Sequence, residues 1–159
     1  MVAAESLQRD PFFQALRPEA LELLEPISRR HSYSAGETIF GEGQETGPLR
    51  VLVKGLVSFR QSQPEGDSDA LMGSVARSGD IFGVSTLMGR GRAYPFTAVC
   101  LEDTEVIEVG GDQLMQLCEQ RPDVGVHILQ RLNEEMAERL SAAREQIRSR
   151  IRPGLISHG

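Results

Sequence analysis

Side chains able to do chemistry are sparse in this chain of 159 residues. It carries two cysteines, Cys100 and Cys118, too few thiols for the four-cysteine set of an iron–sulfur cluster or a structural zinc site. In a reducing compartment they read as free thiols. Glu37, Glu42 and Asp80 each stand beside a glycine, where turn stabilisation explains a carboxylate better than acid–base work does. No nucleophile elbow, paired-histidine motif or phosphate loop of the Gly-Lys-Ser/Thr kind is present, so the sequence points away from an enzyme. One stretch stands out: Ser85 and Thr86 precede the loop Gly89-Arg90-Gly91-Arg92. Long charged side chains in loops are usually solvated, but glycine neighbours leave the backbone free to turn Arg90 or Arg92 inward.

The elements that must position these residues are bounded by composition. With 40% hydrophobic and 25% charged residues the chain suits one structural domain. A chain of this size buries roughly 70% of its unfolded surface and needs no disulfide or metal to build a core. Seventeen basic against 23 acidic residues give a net charge of −6, which removes any global attraction to nucleic acid or to an anionic membrane. No run approaches the ~18 apolar residues of a membrane span, and residues 1–10 lack the pattern of a secretion signal. A cytoplasmic location is expected.

Three zones of periodicity follow one another. Phe12, Phe13, Leu16, Leu21, Leu23, Leu24 and Ile27 recur at helical spacing between Pro11 and Arg30, interrupted at Pro18, which predicts N-terminal helices within residues 1–32. Residues 33–110 read as short apolar strands separated by glycine-bearing turns, an antiparallel sandwich or roll. Within them, Lys54-Gly55 predicts a tight hairpin and Gln61 to Asp69 an exposed hairpin tip. Residues 111–152 return to the helical period: a short helix capped by Asp112, then a long one from Pro122. Along the long helix Ile128, Leu132, Met136, Leu140, Ala143, Ile147 and Ile151 form a single stripe amid charged residues, Arg139 among them. So narrow a seam on so long a helix predicts pairing with the same helix of a second chain. Residues 153–159 form a tail.

The sequence Tyr33-Ser34-Ala35-Gly36-Glu37-Thr38-Ile39-Phe40, then Glu42-Gly43, Val53-Lys54-Gly55-Leu56-Val57, Ser78-Gly79-Asp80-Ile81-Phe82-Gly83 and Leu101-Glu102-Asp103-Thr104-Glu105-Val106 resembles the effector-binding domain of the Crp/Fnr family. The resemblance covers roughly Phe12 to Ile151. It implies a mainly β fold with flanking helices, a double-stranded, jelly-roll-like β-roll, and a long C-terminal dimerisation helix. The family ordinarily continues into a helix-turn-helix DNA-binding domain. The sequence given stops before it, so DNA contact by this part alone is not expected, and a standalone sensor and a piece of a longer regulator both remain open.

In cyclic-nucleotide-binding members of that family a glutamate after the Phe-Gly turn holds the ribose, and an arginine about ten residues on, followed by a serine, neutralises the cyclic phosphate. By resemblance those positions fall after Phe82-Gly83 on Val84, Tyr94 and Pro95, and the adenine-reading positions of the long helix fall on Ala143 and Arg144. A buried anion needs a bidentate cation and backbone donors. The expectation is therefore a homodimeric sensory domain whose pocket, around Ser85, Thr86 and Met136, takes an effector other than a standard cyclic nucleotide. Two alternatives stay open: a cyclic nucleotide held by Arg90 or Arg92, and a haem whose axial ligand would be His127, with His31, Met88, Met136 and Cys100 as further formal ligands.

Overall fold

The computed structural model describes residues 1–64, 69–88 and 91–150. Three short helices, α1 (Ala4–Leu7), α2 (Pro11–Gln14) and α3 (Pro18–Leu24), lead into eight strands and two further helices. The strands are β1 (Ser28–Tyr33), β2 (Thr38–Phe40), β3 (Leu49–Lys54), β4 (Val57–Gln61), β5 (Ala70–Val75), β6 (Ile81–Phe82), β7 (Thr97–Cys100) and β8 (Thr104–Val109). They form two four-stranded sheets of order β1-β8-β3-β6 and β2-β7-β4-β5, with every pairing antiparallel. Helices α4 (Gly111–Gln120) and α5 (Pro122–Arg150) close the chain. The mainly β, jelly-roll-like expectation holds.

Strand alternation divides the core in two. On β3 and β8, Leu49, Val51, Ile107 and Val109 face the helices and pack with Phe12, Phe13, Leu21, Leu114, Ile128 and Leu132. Leu52 and Val106, of the opposite parity, face the other sheet and pack with Phe40, Val57, Phe59, Phe82 and Tyr94. Both faces of this sheet are thus covered, which is why β3 reads as a nearly continuous apolar run.

Three local expectations are corrected. Helical spacing through Ile27 does not carry the helix to Arg30: α3 ends at Leu24, a 3₁₀ turn spans Glu25–Ile27, and β1 starts at Ser28, inside the region assigned to N-terminal helices. Pro26 supplies no amide for a continuing helix, and the segment pairs with β8 instead. Lys54-Gly55 is no hairpin, because β3 and β4 belong to different sheets. Gly55 turns the corner between them with φ +116°, and a Cβ there would lie 2.7 Å from the Thr104 Cα. Asp112 is not the cap of α4. Gly110 holds that position, and Asp112 lies in the first turn, where its charge suits the helix N-terminus. The centre of the Gln61–Asp69 tip, Arg90, Ile151 and the tail lie outside the described residues, as do the side chains of Ala143 and Ile147.

The N-terminal helices are clamped to α5. Arg131 donates to the Phe12 carbonyl at 2.8 Å and the Pro11 carbonyl at 3.3 Å, lies 5.0 Å over the Phe12 ring, and pairs with Glu135 at 2.8 Å. Beneath it Asp10 caps α2 through Oδ1, which accepts from Phe12 N at 2.9 Å, while its buried Oδ2 has no hydrogen-bond partner. Burial pushes the Asp10 carboxyl up to about 6, against the opposing pull of the Phe12 amide, Arg30 and Arg131 and with a small addition from Glu135. A raised acid binds its proton more tightly in the folded state, so its contribution to stability is full below the ordinary value of 3.8 and is lost as pH rises through about 6. Asp10→Asn keeps the cap and removes the titration. Denaturant unfolding should show the variant gaining on the parent by at most about 3 kcal/mol between pH 4 and pH 7. Parallel pH profiles would contradict this account.

Candidate functional site

Between the roll and α5 lies a cavity of about 580 Å³. The edge strand β5 gives it Met72 to Val75, the following turn gives Arg77 and Asp80, and the turn after β6 gives Phe82, Gly83, Val84 and Ser85. Phe59, Tyr94 and Phe96 complete the roll side, and Glu135, Glu138, Arg139 and Ala142 form the helix side. Gly83 is required at the turn: its φ is +73°, and a Cβ would approach the Pro48 carbonyl to 3.3 Å.

Tyr94 fills the space at the position that the resemblance assigns to the phosphate-binding arginine. Its ring is 2% exposed and stacks on Phe40 at 3.8 Å between centroids. Its hydroxyl accepts from Gly47 N at 2.7 Å and from Arg50 Nη1 at 3.1 Å. Arg50 in turn lies 3.3 Å from Glu108, its register partner on β8, with side-chain exposures of 7% and 4%. The parity that turns Leu52 and Val106 into the roll turns Arg50 and Glu108 there too. Glu108 also takes Arg29 Nε at 3.0 Å and the Tyr33 hydroxyl at 3.5 Å, both from β1. A buried ion pair thus holds Tyr94 in place. Sequence reasoning missed it, although a lone arginine in Leu49-Arg50-Val51-Leu52 and a lone glutamate in Val106-Ile107-Glu108-Val109 were its signal.

Of the residues expected at the pocket, Phe82, Gly83, Val84, Ser85 and Tyr94 line the cavity. Arg92, Pro95, Met136 and Arg144 are not in its lining. Arg92 is exposed, and Pro95 turns its carbonyl to Gln61 at 3.1 Å. Thr86 belongs to a different, more open hollow of about 610 Å³, lined among others by Glu45, Asp112 and Gln113. On α5 the lining residues are Glu135, Glu138, Arg139 and Ala142, of which Ala142 directly precedes the expected Ala143 and Arg144. Arg139 is therefore not simply part of a solvated charged surface, since its guanidinium donates to the Ile81 carbonyl. His127 does not face the cavity. Its Nε2 accepts from Arg17 N at 3.0 Å at the start of α3, so that nitrogen is engaged within the protein. Glu37, Glu42 and Asp80 accept backbone amides of Ser34, Ser62, Ala76 and Arg77, as turn-stabilising carboxylates do.

The apolar stripe of α5 splits into two faces. Leu132 is 2% exposed and belongs, with Ile128, to the core of its own domain, so it is not available to a partner. Met136 at 43% and Leu140 at 54% point outward, together with Val126 and Leu129. These four fall at a and d positions of a heptad frame, with Asn133 at the intervening a position.

The architecture is a two-sheet antiparallel β-roll followed by a long helix, with a cavity between them. Residues 30–121 match the cyclic nucleotide-binding domain family, and the chain belongs to that family, in keeping with the Crp/Fnr resemblance. It is 26% identical over 127 residues to the CRP-like cAMP-activated global transcriptional regulator of Mycobacterium tuberculosis, covering 79% of this chain and 54% of that protein. It is 29% identical over 117 residues to the cAMP-activated global transcriptional regulator CRP of Salmonella typhimurium, covering 74% and 53%. The chain thus spans about half the length of the curated relatives it matches. A solved structure from Geobacter metallireducens, described as that of a cyclic nucleotide-binding protein, aligns with a TM-score of 0.75 and 27% identity over 88% of this chain and 99% of its own. The family is a regulatory one and not an enzyme class. Among the described residues no helix is long and apolar enough to cross a membrane.

Proposed function

We propose that this chain is the sensory part of a dimeric Crp-type transcription regulator, and that its cavity takes a small effector other than a standard cyclic nucleotide. The observation that carries the reading is Tyr94, which fills the position of the phosphate-binding arginine and is locked there by Phe40, Gly47 and Arg50. Val84 offers no carboxylate to a ribose, and Pro95 offers no backbone donor to a phosphate. The relatives' names carry cyclic AMP, but they share only 26–29% of aligned residues with this chain. Dimerisation is supported by the outward heptad face of α5, whose natural cover is the same face of a second copy. An effector touching both roll and helix would favour one packing of the two helices over another, and only that difference in affinity could drive a switch.

Thermal unfolding tests the effector reading. A site with a dissociation constant of about 10 μM would gain about 2.7 kcal/mol in 1 mM ligand, or roughly 5–10 °C for a chain of this size. The expected result is a shift below about 1 °C with cyclic AMP or cyclic GMP. A rise of several degrees would overturn the reading.

A further inference from the structure

The walls of the cavity are chemically unlike. On the roll side Phe59 lies 5.7 Å from Phe82 and 5.0 Å from Phe96, ring centre to ring centre, with the rings tilted by 50° and 44°, an apolar aromatic corner. On the helix side stand Glu135, Glu138 and Arg139. Neither carboxylate in the electrostatic neighbourhood of Arg139 is devoted to it. Asp80 accepts the amides of Ala76 and Arg77, and Glu135 pairs with Arg131 at 2.8 Å. The described partner of the Arg139 guanidinium is a neutral carbonyl, that of Ile81. Arg139 as a residue is exposed on α5, but partial burial of its guanidinium at the Ile81 carbonyl pulls its pKa below the ordinary arginine value, with Asp80 and Glu135 opposing. A partly desolvated cation with no dedicated counter-charge, facing a cavity, is satisfied best by an anion brought from outside.

We infer that Arg139 selects the charge of the effector, and that the cavity takes a ligand with an apolar body and one anionic group. The body lies against Phe59, Phe82 and Phe96, and the anion takes the place of the Ile81 carbonyl at Arg139. A second negative charge is disfavoured because Glu138 lines the same wall. Since Arg139 belongs to α5, anion binding acts on the helix directly. The inference rests on the reading of this cavity as the effector site.

Two probes with the same ring skeleton separate charge from shape: 8-anilinonaphthalene-1-sulfonate and the neutral N-phenyl-1-naphthylamine, titrated by fluorescence. The expected result is one site per chain for each. Arg139→Gln should weaken the sulfonate by at least about tenfold while leaving the neutral probe within about twofold, and Arg139→Lys should restore most of the loss. Ala142→Trp, which intrudes on the cavity from an exposed helix position, should abolish both. Equal effects of Arg139→Gln on the two probes, or none on the sulfonate, would overturn the charge inference alone. Failure of both probes to bind, or their survival in Ala142→Trp, would overturn the cavity reading with it.

Discussion

Glu108→Gln should destabilise the chain by about 3–5 kcal/mol, because it leaves the Arg50 guanidinium charged, buried and unpaired. In a chain of this length that lowers the melting temperature by about 6–20 °C. The pair sits in register on adjacent central strands, 3.3 Å apart, with neither side chain more than 7% exposed. Gln keeps the volume and removes only the charge, so packing loss does not explain the effect. Replacing both members with apolar residues, Arg50→Met with Glu108→Leu, should recover much of the stability, since desolvation of the ion pair is then no longer required. The double variant would still lose the Arg50 contact that helps hold Tyr94 in place. Denaturant unfolding of the single and double variants makes the comparison. A loss below about 1 kcal/mol in Glu108→Gln would mean that water reaches the pair and that it does not brace the cavity wall.

The second large effect is expected on association. Met136→Glu combined with Leu140→Glu should weaken the dimer at least about a thousandfold. Each apolar side chain contributes roughly 1.5–3 kcal/mol on burial, and the twofold interface counts each of them twice. Both positions are exposed in the single chain, so the folded monomer should change by less than about 0.5 kcal/mol. Leu132→Ala should behave in the opposite way. That residue is buried in its own domain, so the loss, about 2–5 kcal/mol, appears in unfolding and not in association. Sedimentation equilibrium reads the first effect and denaturant unfolding the second. A double-glutamate variant that associates as strongly as the parent would place the dimer contact elsewhere.

Most of the strands were legible because they are short apolar runs between turn residues, and the long helix because Pro122 and a sustained 3.6-residue period mark it. The polar strand β1 was not, since Ser28-Arg-Arg-His-Ser-Tyr buries little and owes its conformation to pairing with β8. Nor was the sheet change at Gly55, because a turn glycine looks the same in a hairpin and at a corner. The absence of a cassette arginine could be read from Tyr94 and Pro95 alone. What fills the space could not, because Arg50 of β3 reaches the Tyr94 hydroxyl from 44 residues away in sequence, a contact that only the tertiary fold creates. The stripe on α5 misled for a related reason: Ile128 and Leu132 share a helical period with Met136 and Leu140, but only tertiary packing tells which pair the chain's own core claims.

The central claim is that the cavity is an effector site without a cradle for a cyclic phosphate. Its most direct test is an amide-resolved NMR titration of the chain with cyclic AMP up to 1 mM, following Gly83, Val84, Ser85, Tyr94 and Phe96. The account predicts no saturable shift at these amides. Saturable shifts at Gly83, Tyr94 and Phe96 with micromolar affinity would contradict it.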